Sequence, residues 1–175
     1  MRKYLWLSLF LIFVFMPFIQ ADVLKKQVLF NDVISELPSF SDVSCKFSQE
    51  KYLKNSGVSL LSGGNFYFKK SSGITFETLY PINSIVSYTK NSNRQIGKII
   101  DAISNKNYSF IDKNFKVYFE KKSNLWILVL VPQNNMHASE VLDYIEISGN
   151  NTIDSIIVKS LNGDKTKLQF VCPRG

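Results

Sequence analysis

The stretch Leu60–Pro81, LLSGGNFYFKKSSGITFETLYP, places the tightest limit on what this chain can fold into. Phe66 and Phe68 alternate with Asn65, Tyr67 and Lys69. Lys70-Ser71-Ser72-Gly73 supplies a turn, and Ile74 and Phe76 then alternate with Thr75 and Glu77. A period of two on both sides of a Gly/Ser turn specifies an antiparallel hairpin. Its register puts Phe66, Phe68, Ile74 and Phe76 on one oily, aromatic face. The paired Gly63-Gly64 inside the first strand predicts a bulge or a sharp bend.

The same periodicity runs through most of the chain. Val43–Leu53 reads as a strand with Cys45, Phe47, Gln49 and Lys51 pointing one way, followed by a turn at Asn55-Ser56-Gly57. Ser84–Lys90 is a strand with Val86 and Tyr88 on one side, and Phe115, Val117 and Phe119 mark another. Leu142–Ser148, Ile153–Leu161 and Thr166–Cys172 are three more, separated by Asn150-Asn151 and Asn162-Gly163-Asp164. Leu125–Val131 is apolar on both faces: Trp126, Leu128 and Leu130 against Leu125, Ile127, Val129 and Val131. Two dry faces predict a place near the middle of the sheet, with cover on both sides.

Two segments break the period. Val23–Leu37 carries Leu24, Val28, Leu29, Val33, Ile34 and Leu37 at helical spacings and predicts an N-terminal helix, ended by Pro38. This helix is the expected cover for one face of Leu125–Val131. Ile96, Ile99, Ile100 and Ile103 share one side of a short helix within the strand-rich part. Asn105–Asn114 reads as a loop whose Tyr108, Phe110 and Ile111 need cover. The sum is an α+β fold: a single strongly curved antiparallel sheet, or open barrel, of about eight to ten strands with a hydrophobic concave face.

Ahead of the fold stand Arg2 and Lys3, the apolar run Tyr4–Ile19 and the small Ala21. A charged start, an apolar stretch and a small residue describe a secretory signal cut after Ala21, the alternative being an uncut membrane anchor. Residues 22–175 are then one exported domain. The chain's net charge of +7 is spread over Lys25-Lys26, Lys69-Lys70, Lys121-Lys122 and single sites, which fits nucleic acid poorly. An exported pair of cysteines, Cys45 and Cys172, favours a disulfide over two buried thiols.

Little in the chain resembles catalytic chemistry. His137, the single histidine, sits in the polar loop PQNNMHASE with no metal-ligand set around it. Glu50, Glu77, Asp101 and Glu120 are isolated acids, and nucleophile and phosphate-loop motifs are absent. The expectation is a protein that is not an enzyme and needs no cofactor. The fourteen phenylalanines fit either a packed core or a lipid-lined cavity, and composition leaves both open.

Four motifs occur in order: Phe47-x-Gln49 after an N-terminal helix; Ser62-x-Gly64-x-Phe66-x-Phe68-Lys69-Lys70, leading to Phe76 and Pro81; Trp126-x-Leu128-x-Leu130-x-Pro132; and Gly163-Asp164-x-Thr166 with Phe170. Their order and spacing resemble the periplasmic outer-membrane lipoprotein carrier (LolA) family, and more closely its LolA-like relatives. The resemblance implies an incomplete antiparallel β-barrel whose hydrophobic cavity is closed by helices. It implies a monomeric periplasmic carrier that takes acylated lipoprotein, or another lipid or glycolipid, from an inner-membrane release complex to an outer-membrane acceptor. On that pattern Phe66, Phe68, Ile74, Phe76, Val86, Tyr88, Trp126, Leu128 and Leu130 line the cavity, and Ile96, Ile99, Ile100 and Ile103 form the lid. The family's lid-latching arginine falls at Lys70, which lacks the planar fork of arginine. The family's mouth aromatic falls at Ile74, and the tryptophan two residues on falls at Phe76. An envelope sensor or scaffold with a filled core is the reading from another class.

Overall fold

Alternation becomes strand almost everywhere the sequence shows it. The structure, a computed structural model, describes residues 26–38, 42–89, 108–134 and 137–173. These form β1 (Gln27–Val28), β2 (Val43–Leu53), β3 (Val58–Lys69), β4 (Gly73–Tyr80) and β5 (Ser84–Tyr88) in the first half. The second half supplies β6 (Phe115–Lys122), β7 (Leu125–Pro132), β8 (Leu142–Gly149), β9 (Ile153–Ser160) and β10 (Lys165–Val171). All ten join one antiparallel sheet in the order β1-β6-β7-β8-β9-β10-β2-β3-β4-β5. The sheet is not closed: β1 and β5 stand at its two edges. Residues 1–25, the expected signal included, and the expected lid residues Ile96, Ile99, Ile100 and Ile103 lie outside the described residues.

The central hairpin has the predicted register. Phe66 pairs with Phe76 and Phe68 with Ile74, and the register shifts between Gly63 and Gly64. Gly57, Gly73 and Gly163 take positive φ at the turns where the sequence places them. Cys45 of β2 is disulfide-bonded to Cys172, one residue beyond β10, with Cα atoms 4.2 Å apart. The β2–β10 ladder ends at Val171 opposite Lys46, so the bridge continues it by one pair.

Three expectations need correction. The helix over Val23–Leu37 is much shorter among the described residues: Gln27–Val28 is a strand paired with β6. Helix follows only at α1 (Phe30–Val33), continued by a 3-10 turn at Ile34–Glu36. Edge pairing competes with helix here, and the Phe30 N–H is taken by Asp112 Oδ1 at 2.6 Å. Leu37 is extended before Pro38, as the proline demands. The second correction is at Asn105–Asn114, where α2 (Ser109–Asn114) replaces a loop and seats Ile111 out of water entirely. The third concerns β7, which is third from the β1 edge rather than central. Its inner face is covered as expected by α1, together with α2. On its outer face buried Val129 stands between Tyr118 and Glu146 in register.

Candidate functional site

Strand register assigns the inner face residue by residue. On it stand Cys45, Phe47, Gln49 and Lys51 of β2, opposite Phe66, Gly64, Ser62 and Leu60 of β3. Phe76 and Ile74 of β4 continue the rows to Val86 and Tyr88 of β5. Phe170 and Leu168 of β10 complete them on the other flank. Rings from strands two apart meet on this face. Phe47 of β2 lies edge-on to Phe76 of β4 with centroids 5.2 Å apart, above Gly64 of the intervening strand. Phe66 of β3 and Phe170 of β10 approach to 4.7 Å across β2. Next-but-one strands lie about 9.6 Å apart in a sheet, so side chains lean together here, which fits a sheet curved toward this face.

The face divides into two unequal halves. At β6–β8, Trp126, Leu128 and Leu130 pack with Phe30, Leu37, Ile111, Phe115 and Val117 into a closed core. Leu130 is 1% exposed and Phe30 is fully buried. The Trp126 Nε1–H donates to the Asn150 carbonyl at 2.7 Å, so its polar atom is satisfied in place. At β2–β5 and β10, the buried Cys45, Phe47, Phe66 and Phe170 form a second cluster. Phe68, Ile74 and Phe76 pack against it and stay half-buried, as are Val86 and Tyr88 beside them. Ile153 borders both clusters.

Of the nine expected lining residues, six are therefore brought together: Phe66, Phe68, Ile74, Phe76, Val86 and Tyr88. The other three, Trp126, Leu128 and Leu130, belong to the packed half. Lys70 sits in the exposed β3–β4 turn, where its backbone N–H donates to Asp42 Oδ1 at 2.9 Å. Phe47, Phe170 and Leu168 belong to the site as well. The alternation Cys45-Phe47-Gln49 already put Phe47 on the right face, and Phe170 follows from Leu168 by the same period.

Polarity grades along the strands on the inner side. The rows through Phe66, Phe76 and Val86, and through Phe68, Ile74 and Tyr88, are apolar. Beyond Phe47 on β2 come Gln49 and Ser62, whose side chains hydrogen-bond at 3.2 Å, and then Lys51 and Thr166, with exposed Leu60 opposite Lys51. The arrangement is amphiphilic: an aromatic floor at one end and hydrogen-bonding groups at the other.

Around Asn65 the outer face of β2–β4 is polar and self-satisfied. Lys46 Nζ donates to Asn65 Oδ1 at 2.6 Å, while Asn65 Nδ2 and the Tyr67 hydroxyl donate to Glu77 Oε2 at 2.7 and 3.1 Å. The hydrogen bonds from Asn65 and then Tyr67 hold the Glu77 carboxyl below its usual range. Donation to Glu77 pushes the Tyr67 hydroxyl up. At the β9–β10 turn the Lys54 backbone N–H, then the Asn162 side chain, hold Asp164 down.

Groups for chemistry are scattered. His137 stands fully exposed, its Nδ1 3.7 Å from Glu140 Oε1. Glu50 accepts the Ser59 hydroxyl at 2.8 Å, and Glu120 Oε2 is buried without a hydrogen-bond partner. Asp101 lies outside the described residues. Among the described residues no group of His, Cys, Asp and Glu could hold a metal ion, and no helix is long and apolar enough to cross a membrane. No family model matches the chain, and no curated protein is significantly similar to it.

Proposed function

We propose that this protein is an exported carrier of acyl chains, a LolA-like incomplete barrel that shields the hydrocarbon part of an amphiphile. The observation that carries the reading is the half-buried aromatic floor of β3–β5, where Phe68, Ile74, Phe76, Val86 and Tyr88 keep part of their surface uncovered beside a fully packed core. Aromatic and branched side chains offer area to a hydrocarbon chain without leaving polar groups unpaired. Each methylene moved out of water onto such a surface is worth about 0.8 kcal/mol. The polar row at Gln49 and Ser62 gives the other end of the cargo hydrogen-bonding partners. Binding and release then need no cofactor and no covalent step. The Cys45–Cys172 bridge is compatible with an oxidising, exported compartment such as the periplasm. Cargo would be an acylated lipoprotein or another lipid, passed from an inner-membrane release complex to an outer-membrane acceptor. The helix expected at Ile96–Ile103 would serve as its lid and Lys70 as its latch.

The packed half favours a second reading. Trp126, Leu128 and Leu130 leave no room under α1 and α2, and a core filled in this way throughout would suit an envelope sensor or scaffold. Native mass spectrometry of the processed protein, with lipid extraction of the same sample, separates the two. The carrier reading expects a copurified lipid whose mass identifies the cargo class. A protein that is free of lipid and also refuses a fluorescent fatty-acid probe would overturn it in favour of the scaffold.

A further inference from the structure

Charge enters the open half of the inner face at one place. The inner-facing residues of β2–β5 and β10 are apolar or neutral except Lys51, and among the described residues no carboxylate stands with them. On the packed half, Lys121 of β6 is already paired with Glu36 at 2.7 Å. Lys51 stands between Leu60 of β3 and Thr166 of β10, with Gln49 next on its own strand and Ser62 on the diagonal. Side chains directly opposite one another are about 5 Å apart at Cβ, and diagonal ones about 7–8 Å. The ammonium on its flexible stem therefore reaches over both the Thr166 and the Ser62 hydroxyls.

Protons are left over in this cluster. Gln49 Nε2 donates to Ser62 Oγ at 3.2 Å, so Ser62 has accepted and keeps its own hydroxyl proton to give. Among the described residues neither Thr166 nor Lys51 has a side-chain hydrogen bond or an ion pair. The acids at this end are engaged or remote. Asp164 lies close enough to feel Lys51, but its oxygens already accept from the Lys54 backbone N–H and from Asn162 Nδ2. Glu50 faces outward and accepts from the Ser59 hydroxyl. Glu140 and Asp143 lie at the start of β8, three strands from β2, about 14 Å away.

Resting on the carrier reading above, we propose that the cargo has an anionic head, a carboxylate or a phosphate, held by Lys51, Ser62 and Thr166 while its acyl chain lies along the inner face toward Phe66, Phe76 and Phe68. A neutral head would leave the ammonium to water alone. A carboxylate or phosphate oxygen accepts from the ammonium and both hydroxyls together, and hydrogen bonds to an ionised group are the strong ones. The spacing selects a long chain. From Lys51 to the row of Cys45, Phe66 and Phe76 is six residues of β2, about 20 Å. The hydrocarbon of one bilayer leaflet spans about 15 Å, so only a long chain with its head at Lys51 reaches the half-buried floor.

The test is competition against a fluorescent fatty acid bound to the processed protein. The competitors are a long-chain carboxylate, an alkyl phosphate and a methyl ester of the same chain length. In wild type at least one of the two anions should bind about tenfold or more tighter than the ester, and the tighter one identifies the head as carboxylate or phosphate. Lys51→Met should bring both anions to the level of the ester and leave the ester unchanged, and Ser62→Ala should remove part of the advantage. Lys167→Met takes an equal charge from the outer face of β10, opposite Glu50, and should keep the preference. Lys51 is exposed, so its variant should keep the wild-type circular dichroism and melting transition. The inference fails, with the carrier reading intact, if wild type binds the ester as tightly as the anions. It fails in the same way if folded Lys51→Met keeps the preference, or if Lys167→Met loses it to the same extent. A wild type that binds no probe overturns both.

Discussion

Leu130→Ala and Ile74→Ala remove comparable hydrocarbon from the two halves of the inner face and should have very different consequences. Leu130 is 1% exposed, stands between Val117 of β6 and Ile145 of β8, and lies in the cluster closed by Phe30 and Ile111. Truncation there loses the transfer free energy of the side chain and leaves a cavity that α1 and α2 cannot fill, a cost of about 2.7–5 kcal/mol. Ile74 keeps part of its surface uncovered, has no helix closed over it and can forfeit only part of its burial, about 1–2 kcal/mol. Urea denaturation followed by circular dichroism measures both. With a slope of about 2 kcal/mol per molar urea, Leu130→Ala should lower the midpoint by about 1.4–2.5 M and Ile74→Ala by about 0.5–1 M, with unchanged slopes. Against a total stability of about 5–15 kcal/mol, Ile74→Ala stays folded in water, while Leu130→Ala removes a large share of the margin. Equal losses at the two sites, or a loss below about 1 kcal/mol at Leu130, would refute the division into a packed and an open half.

Reducing Cys45–Cys172, or replacing both cysteines by serine, opens a loop with a sequence separation of 127. Thermal melts with and without reductant should show a loss of about 2–5 kcal/mol. Gly73→Ala should cost about 1–3 kcal/mol in the same melts, because Gly73 has φ +98 and its added Cβ would press on the Tyr88 carbonyl oxygen. Glu77 has a folded pKa below its unfolded value, so its contribution is complete above the unfolded pKa near 4.5 and fades as pH falls through the folded pKa. Denaturation midpoints of Glu77→Gln should therefore fall less steeply than wild type below that pH, with Asp164 still contributing a slope of the same sign.

Local chemistry made the sheet legible. Strands announced by alternation and bounded by Asn, Ser and Gly turns appear with the expected register, because a slip by one residue would turn Phe66, Phe68, Ile74 and Phe76 into water. The Gly63-Gly64 irregularity was signalled by the paired glycines, and the Cys45–Cys172 bridge by an even cysteine pair in a chain expected to be exported. The helices were harder. Val28 fits a helical stripe and an edge strand equally well, and its pairing with Val117 of β6, far along the chain, is invisible to a local pattern. In α2, Ser109-Phe-Ile-Asp-Lys-Asn114 has too few apolar positions to show a period, yet Ile111 anchors the core. The split of the inner face was hidden for the same reason. Trp126, Leu128 and Leu130 have the alternation of Phe66 and Phe68, and only the docking of α1 and α2 over one set distinguishes them.

Titration of a fluorescent fatty-acid probe into the processed wild-type protein and Phe68→Glu tests the carrier reading most directly. Phe68 is half-buried on the open floor, across from Val43 and Ile74, so a carboxylate there can reach water without unfolding the sheet. The account predicts saturable binding by wild type and its loss in Phe68→Glu, whose melting transition stays cooperative. Undiminished binding by a folded Phe68→Glu, or no binding by wild type, would contradict the assignment of this floor as the acyl-chain site.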